Sequence, residues 1–172
     1  MAKISLTKIT PVKELKAKIV TIGEVDIEVK QYLPLKEKIE IASVVTGMST
    51  GDMGINPIQR DVLTKFYILD YYTNINFTDK QKEDIEKTFD LLEINDVINK
   101  VLEAIPASEI DTVMSWVFIC SNTFENYRNS IRGIIEDIVS RYGNTELDIE
   151  KLVSQIKDPE VGEFLKNLSN VG

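Results

Sequence analysis

The sequence predicts a mainly α fold: a helical bundle around one long helix over about 108–141, with a small β-hairpin near the N-terminus. Three observations predict it. From Ile110 every seventh residue is apolar (Val117, Phe124, Ile131, Ile138), and a second seam runs through Val113, Cys120, Tyr127 and Ile134. This alternation of threes and fours keeps one stripe on one side of an α-helix, where a strand would need a period of two. Shorter stripes of the same period follow cap signals elsewhere in the chain. Strict alternation marks Val25-Asp26-Ile27-Glu28-Val29, which follows Lys18-Ile19-Val20-Thr21-Ile22 and a Gly23-Glu24 turn, the pattern of a hairpin.

In chain order, residues 1–16 are polar and interrupted by Pro11, an extended basic arm with Lys3, Lys8, Lys13 and Lys16. The hairpin occupies 17–31 and begins with Lys18. Val25, Ile27 and Val29 share one face, while Asp26, Glu28 and Lys30 face water. A lone hairpin is marginal, so the apolar face must lie on the helices or on a partner.

Residues 35–168 form the helical body. A helix over 35–45 carries Ile39, Ile41, Ala42 and Val45. The glycine-rich stretch from Thr46 to Gly54 lacks the Lys-Ser/Thr of a phosphate loop and is read as a mobile surface loop. Asn56-Pro57 caps a helix to about Tyr72, striped by Val62, Phe66, Leu69 and Thr73. Thr78 and Gln81 form a capping box for the next, with Ile85, Phe89 and Leu92 on its apolar side. Glu86, Asp90 and Glu93 line another face. A metal site there lacks any supporting motif, so the reading is a solvated face. Asn95 caps a short helix that ends before Pro106.

The long helix follows, capped by Ser108 and stopped by Gly143 and Asn144. It would span roughly 50 Å at about 1.5 Å per residue. Its first turns, around Trp116, are apolar nearly all round, as in a buried bundle helix and unlike a two-stranded coiled coil. Trp116 is expected to be buried against the 56–72 helix, and the later turns to present Arg128 and Arg132 on a wet face. Amphipathic stretches at 145–156 and 158–168 complete a single domain over 1–172.

Composition narrows the function. The chain has 172 residues, a net charge of −8, one Cys and no His. The acidic balance disfavours nucleic acid or an anionic membrane as the main partner. The absence of His removes the commonest general base and zinc ligand together. No catalytic, cofactor or metal motif stands out, so the expectation is no enzyme, no cofactor and no small-molecule substrate. Cys120 reads as a small core residue. Five Lys and one Glu within residues 1–20 give +4, which leaves −12 for the remainder. No apolar run follows the early lysines, so the expectation is synthesis in a cytoplasm without a signal peptide.

Several stretches together resemble a known family. They are Val29-Lys30-Gln31-Tyr32-Leu33-Pro34, Tyr72-Thr73-Asn74 and Phe77-Thr78-Asp79-Lys80-Gln81-Lys82-Glu83-Asp84, with Ala104-Ile105-Pro106, Asn129-Ser130, Gly133-Ile134 and Asp158-Pro159 following in order. The chain from about Val25 onward is similar to small acidic proteins from the structural gene clusters of tailed phages and prophages of Gram-positive bacteria. Those proteins often carry a proline after the acidic pair that is here Glu83-Asp84. Ile85 stands there instead, which predicts an unbroken helix. The resemblance implies a role in building or decorating a virion, made in the bacterial host cytoplasm. Capsid-associated accessory protein is the preferred reading, and a tail assembly chaperone absent from the mature particle is the alternative. Partners would be major capsid or tail subunits, or a second copy of the chain. The partner-binding candidates are Lys3, Lys8, Lys13, Lys16, Lys18, Val25, Ile27, Val29, Arg128 and Arg132.

Overall fold

The structure, a computed structural model, describes Ser5, residues 15–51, residues 54–130 and Gly133. Contacts divide the chain into two units, Met1–Asn122 and Thr123–Gly172. The described residues are mainly helical, with a small N-terminal hairpin, as the periodicity predicts.

The hairpin pairs β1 (Lys18–Ile22) with β2 (Val25–Val29), antiparallel, with Val20 opposite Ile27 and Ile22 opposite Val25. Gly23 has φ +62° and Glu24 does not have a positive φ. This is the pattern of a type II′ turn, whose twist suits the two strands and favours glycine at the first position.

Helix α1 (Leu35–Met48) runs three residues past its expected end. It buries Lys38, Ile41, Ala42, Val45 and Thr46, whereas Ile39, expected on the apolar side, is exposed. The glycine-rich stretch is not simply a loop: Thr50–Gly51 (β3) and Gly54–Ile55 (β4) form a short antiparallel ribbon. It is closed by Asn56 N donating to Ser49 O at 2.9 Å.

Helix α2 (Pro57–Tyr72) begins where the cap signal places it, with Asn56 Oδ1 accepting from Ile58 N and Gln59 N. It buries Leu63, Thr64, Phe66, Ile68, Leu69 and Tyr72. Phe66 stacks at a tilt on Phe77, with 4.7 Å between centroids, and meets Tyr67 edge-on.

The helix expected to run unbroken from Thr78 is two. Helix α3 (Asp79–Glu83) carries the predicted Thr78–Gln81 capping box. It stops at Asp84, and α4 (Ile85–Ile94) starts there. Asp84 accepts from Lys87 N, and the Thr88 hydroxyl sits within reach of both Gln81 O (3.0 Å) and Asp84 O (2.9 Å). An Asp side chain at a helix start competes with the continuing ladder, so the chain breaks without proline. Asn95 closes α4 instead of opening the next helix. Asp96, at φ 56°, precedes α5 (Val97–Ala104).

Helix α6 (Ala107–Arg128) is the long helix, shorter than the expected 108–141. Asn129 forms a turn and Ser130 a bend. Ser130 N donates to Tyr127 O at 3.0 Å, and Ser130 Oγ accepts from Gly133 N at 3.2 Å. Serine so placed draws backbone groups away from the helical pattern. Residues 134–172, including the expected helices after Gly143, lie outside the described residues.

The buried side chains concentrate on α2, which packs against α1, α4 and α5. Two contacts align α6 with α1: Glu109 with Lys38, and Ser121 with Thr46. Two more set it antiparallel to α2: Glu109 with Tyr72, and Phe118 with Arg60. Val113 and Val117 are its buried apolar residues. Trp116, expected to be buried against the 56–72 helix, is only half-buried, because it sits to one side of the Val113–Val117 line.

Candidate functional site

The N-terminal hairpin is anchored on one side and open on the other. Hairpin pairing with a two-residue turn makes Ile22–Val25, Val20–Ile27 and Lys18–Val29 the hydrogen-bonded pairs, so Asp26 and Glu28 of β2 and Ile19 and Thr21 of β1 point their main-chain groups outward. On β2 those groups are used. Asn74 N donates to Glu28 O at 3.2 Å, Glu28 N donates to Asn74 Oδ1 at 3.0 Å, and Lys30 N donates to Tyr72 O at 2.7 Å. Val29 also bridges Thr73. On β1, nothing among the described residues pairs with the outer edge.

The anchor continues below β2. Gln31 Nε2 donates to Val29 O at 3.1 Å and Ala104 O at 3.0 Å, tying the strand to the end of α5. The Glu109 carboxylate then gathers three donors: Lys38 Nζ at 2.8 Å on Oε1, and Leu33 N at 3.1 Å and the Tyr72 hydroxyl at 3.0 Å on Oε2. Lys38 also lies 4.7 Å from the Tyr32 ring centroid. Lys38 is 6% exposed and Tyr72 fully buried.

Burial alone would raise the Glu109 pKa, but the bonds from Lys38, Leu33 N and Tyr72, with the Lys38 charge, hold it below the usual carboxylate value. Burial first, then its bond to the Glu109 carboxylate, drives the Tyr72 phenol far above its ordinary pKa. The group is a fully satisfied ionic knot joining the hairpin exit, α1, α2 and α6.

The predicted partner-binding residues separate clearly. Lys16 and Lys18 are exposed beside the open edge, and Val25 is exposed near the turn. Ile27, 6% exposed, and Val29, fully buried, are removed from that set, because they face this chain's own core. Arg128 is half-buried at the end of α6, in the second unit. Lys3, Lys8, Lys13 and Arg132 lie outside the described residues.

The reading from sequence missed Lys38, Tyr72 and Glu109 as a group. Its signal was present: Lys38 stands three, four and seven residues before Ile41, Ala42 and Val45, and Glu109 four before Val113. Opposite charges on two apolar stripes are candidates for a buried pair.

Elsewhere, a cleft of about 530 Å³ lies between the start of α2 and the α3–α4 break. Its Asn56 caps α2, its Lys82 is bound to Asp70 at 2.8 Å and its Asp84 caps α4. Glu86, Asp90 and Glu93 are exposed on α4. Among the described residues no cluster of three or more His, Cys, Asp or Glu could hold a metal ion, and no helix is long and apolar enough to cross a membrane. Cys120 is a half-buried free thiol. No protein family, curated protein or solved structure matches the chain.

Proposed function

We propose that the chain is a non-enzymatic structural protein of a tailed-phage particle, carried in the virion as a capsid-associated accessory that binds the major structural subunits. The observation that carries this reading is the outer edge of β1. A strand with outward N–H and C=O groups at Ile19 and Thr21, 57% exposure at Ile19 and a rigid mount beneath it is suited to accept a strand from another chain. Lys16 and Lys18 beside the edge attract an acidic neighbour, with a strength that falls as salt rises. The resemblance to phage structural-cluster proteins supplies the setting, and a multi-copy partner suits an edge that offers geometry more than a pocket.

The test is the protein content of purified particles. A fixed stoichiometry of many copies per particle is expected. Absence from mature particles, with presence in infected-cell assembly intermediates, would overturn the accessory role and favour a transient tail assembly chaperone.

A further inference from the structure

The outer edge of β1 carries more information than its openness. Natural edge strands are blunted by prolines, bulges, inward charges or a covering element. Within β1, Lys18 is the one such charge, at the first residue of the strand; Ile19-Val20-Thr21-Ile22 has no proline or bulge, and although α5 packs against β1, no main-chain group among the described residues pairs with its outer edge. Its ends are charged with opposite signs: Lys16 and Lys18 lie at the start, and Glu24 in the turn at the finish, all exposed. A strand of that kind is complementary to its own antiparallel copy.

We infer that the strand taken by this edge is β1 of a second copy, paired antiparallel about a two-fold axis through Val20. This rests on the reading above that the β1 edge accepts a strand from another chain, and gives that strand to a second copy, so that the particle's subunits meet the resulting dimer and not the edge itself. Hydrogen bonding requires the outward residues of both copies to face each other. With Val20 opposite Val20 of the partner copy, Ile19 of each copy faces Thr21 of the other, and each such pair exchanges both N–H···O bonds. The contact is isologous, closes at two and leaves no β1 edge unpaired.

Overlap selects this register among those the hydrogen-bond parity allows, since only an axis through Val20 pairs all five β1 residues, Lys18–Ile22, with those of the other copy. This register brings Lys16 of each copy opposite Glu24 of the other, with Lys18 diagonal to it. Moving the axis to Lys18 would set the two Lys18 residues against each other, which cross-strand pairing disfavours. On the solvent face, the exposed Ile19 gains a β-branched neighbour, Thr21 of the other copy. The product is a continuous four-stranded sheet, far more stable in water than a two-stranded hairpin. The unit that meets the subunits of the particle is then a dimer, with both lysine-bearing ends on one assembly.

The experiment uses the full chain with Cys120→Ser and one introduced thiol, oxidised in solution. Residues at a non-hydrogen-bonded pair lie about 4.5 Å apart between Cα atoms, inside the disulfide range of about 4.4–6.8 Å. Val20→Cys is expected to give a covalent dimer. In Ile19→Cys the two thiols sit on a diagonal at roughly 7–8 Å and are expected to stay unlinked. Sedimentation of the unmodified chain should give twice the monomer mass, and Ile19→Pro, which deletes an outward N–H and no hairpin bond, should give the monomer mass. A link through Ile19→Cys but not Val20→Cys would overturn the register. An unmodified chain that sediments as a monomer would overturn the inference. If that monomer still lost particle incorporation on Ile19→Pro, the edge would remain the attachment element with a different occupant.

Discussion

Glu109 is the residue on which the mount of the hairpin converges. Its side chain is 14% exposed and that of Lys38 7%, so each charge depends on the other for compensation. Removing one member of such a pair strands a buried charge. Glu109→Ala is expected to cost about 3–5 kcal/mol in urea unfolding at neutral pH. The double change Lys38→Met with Glu109→Gln should recover much of that loss, since it leaves no buried charge. If Glu109→Ala proves neutral, the knot does not hold the hairpin. The pH dependence has a definite sign. The folded-state pKa of Glu109 lies below its unfolded value, so its contribution is complete above about pH 4.3 and is lost as pH falls through the folded pKa. Glu109→Gln should therefore flatten the acid limb of a stability-against-pH curve, and an unchanged limb would contradict the assignment.

Among the elements, α2 holds the largest share of buried side chains and α6 closes over it from the side. Phe66→Ala is expected to cost about 3–5 kcal/mol, the range for emptying a fully buried aromatic site, and Trp116→Ala distinctly less. The reverse order in denaturant melts would put α6 at the centre. In the hairpin, Gly23 has open space where a Cβ would go, so only its φ of +62° opposes a side chain. Gly23→Ala should destabilise by about 1–2 kcal/mol, the cost of holding an alanine in left-handed backbone.

These same elements show what the sequence makes legible. Asn56-Pro57 and Thr78–Gln81 place helix starts correctly because a cap is satisfied within three residues. The hairpin is legible because period-two alternation beside a Gly-Glu turn has one reading. The break at Asp84 is not, since it depends on the Asp84 side chain capping Lys87 N and on the Thr88 hydroxyl lying within reach of a carbonyl across the break. The α6 end is hidden for a similar reason: the apolar heptad continues past Arg128, while Ser130 takes the backbone bonds that would extend the helix. The open β1 edge is half legible. Alternation reveals the strands, but only the Tyr72–Asn74 contacts reveal which edge is already occupied.

For the whole molecule, the central claim is that a rigidly mounted sheet edge, and not a pocket, carries the function. One edge of the hairpin is fixed to Tyr72 and Asn74, the strand exit to α5 through Gln31, and the base to α1, α2 and α6 through Glu109. The same anchoring that fixes β2 leaves the outer edge of β1 as the free edge of the hairpin. Ile19→Pro tests this most directly, because proline is tolerated on an edge strand whose N–H points away from the ladder. The measurement is the copy number of Ile19→Pro in purified particles beside the unmodified protein, with urea unfolding as the control for folding. The account predicts a folded variant within about 1 kcal/mol of the parent that is lost from particles. A folded variant incorporated at the parental copy number would contradict it.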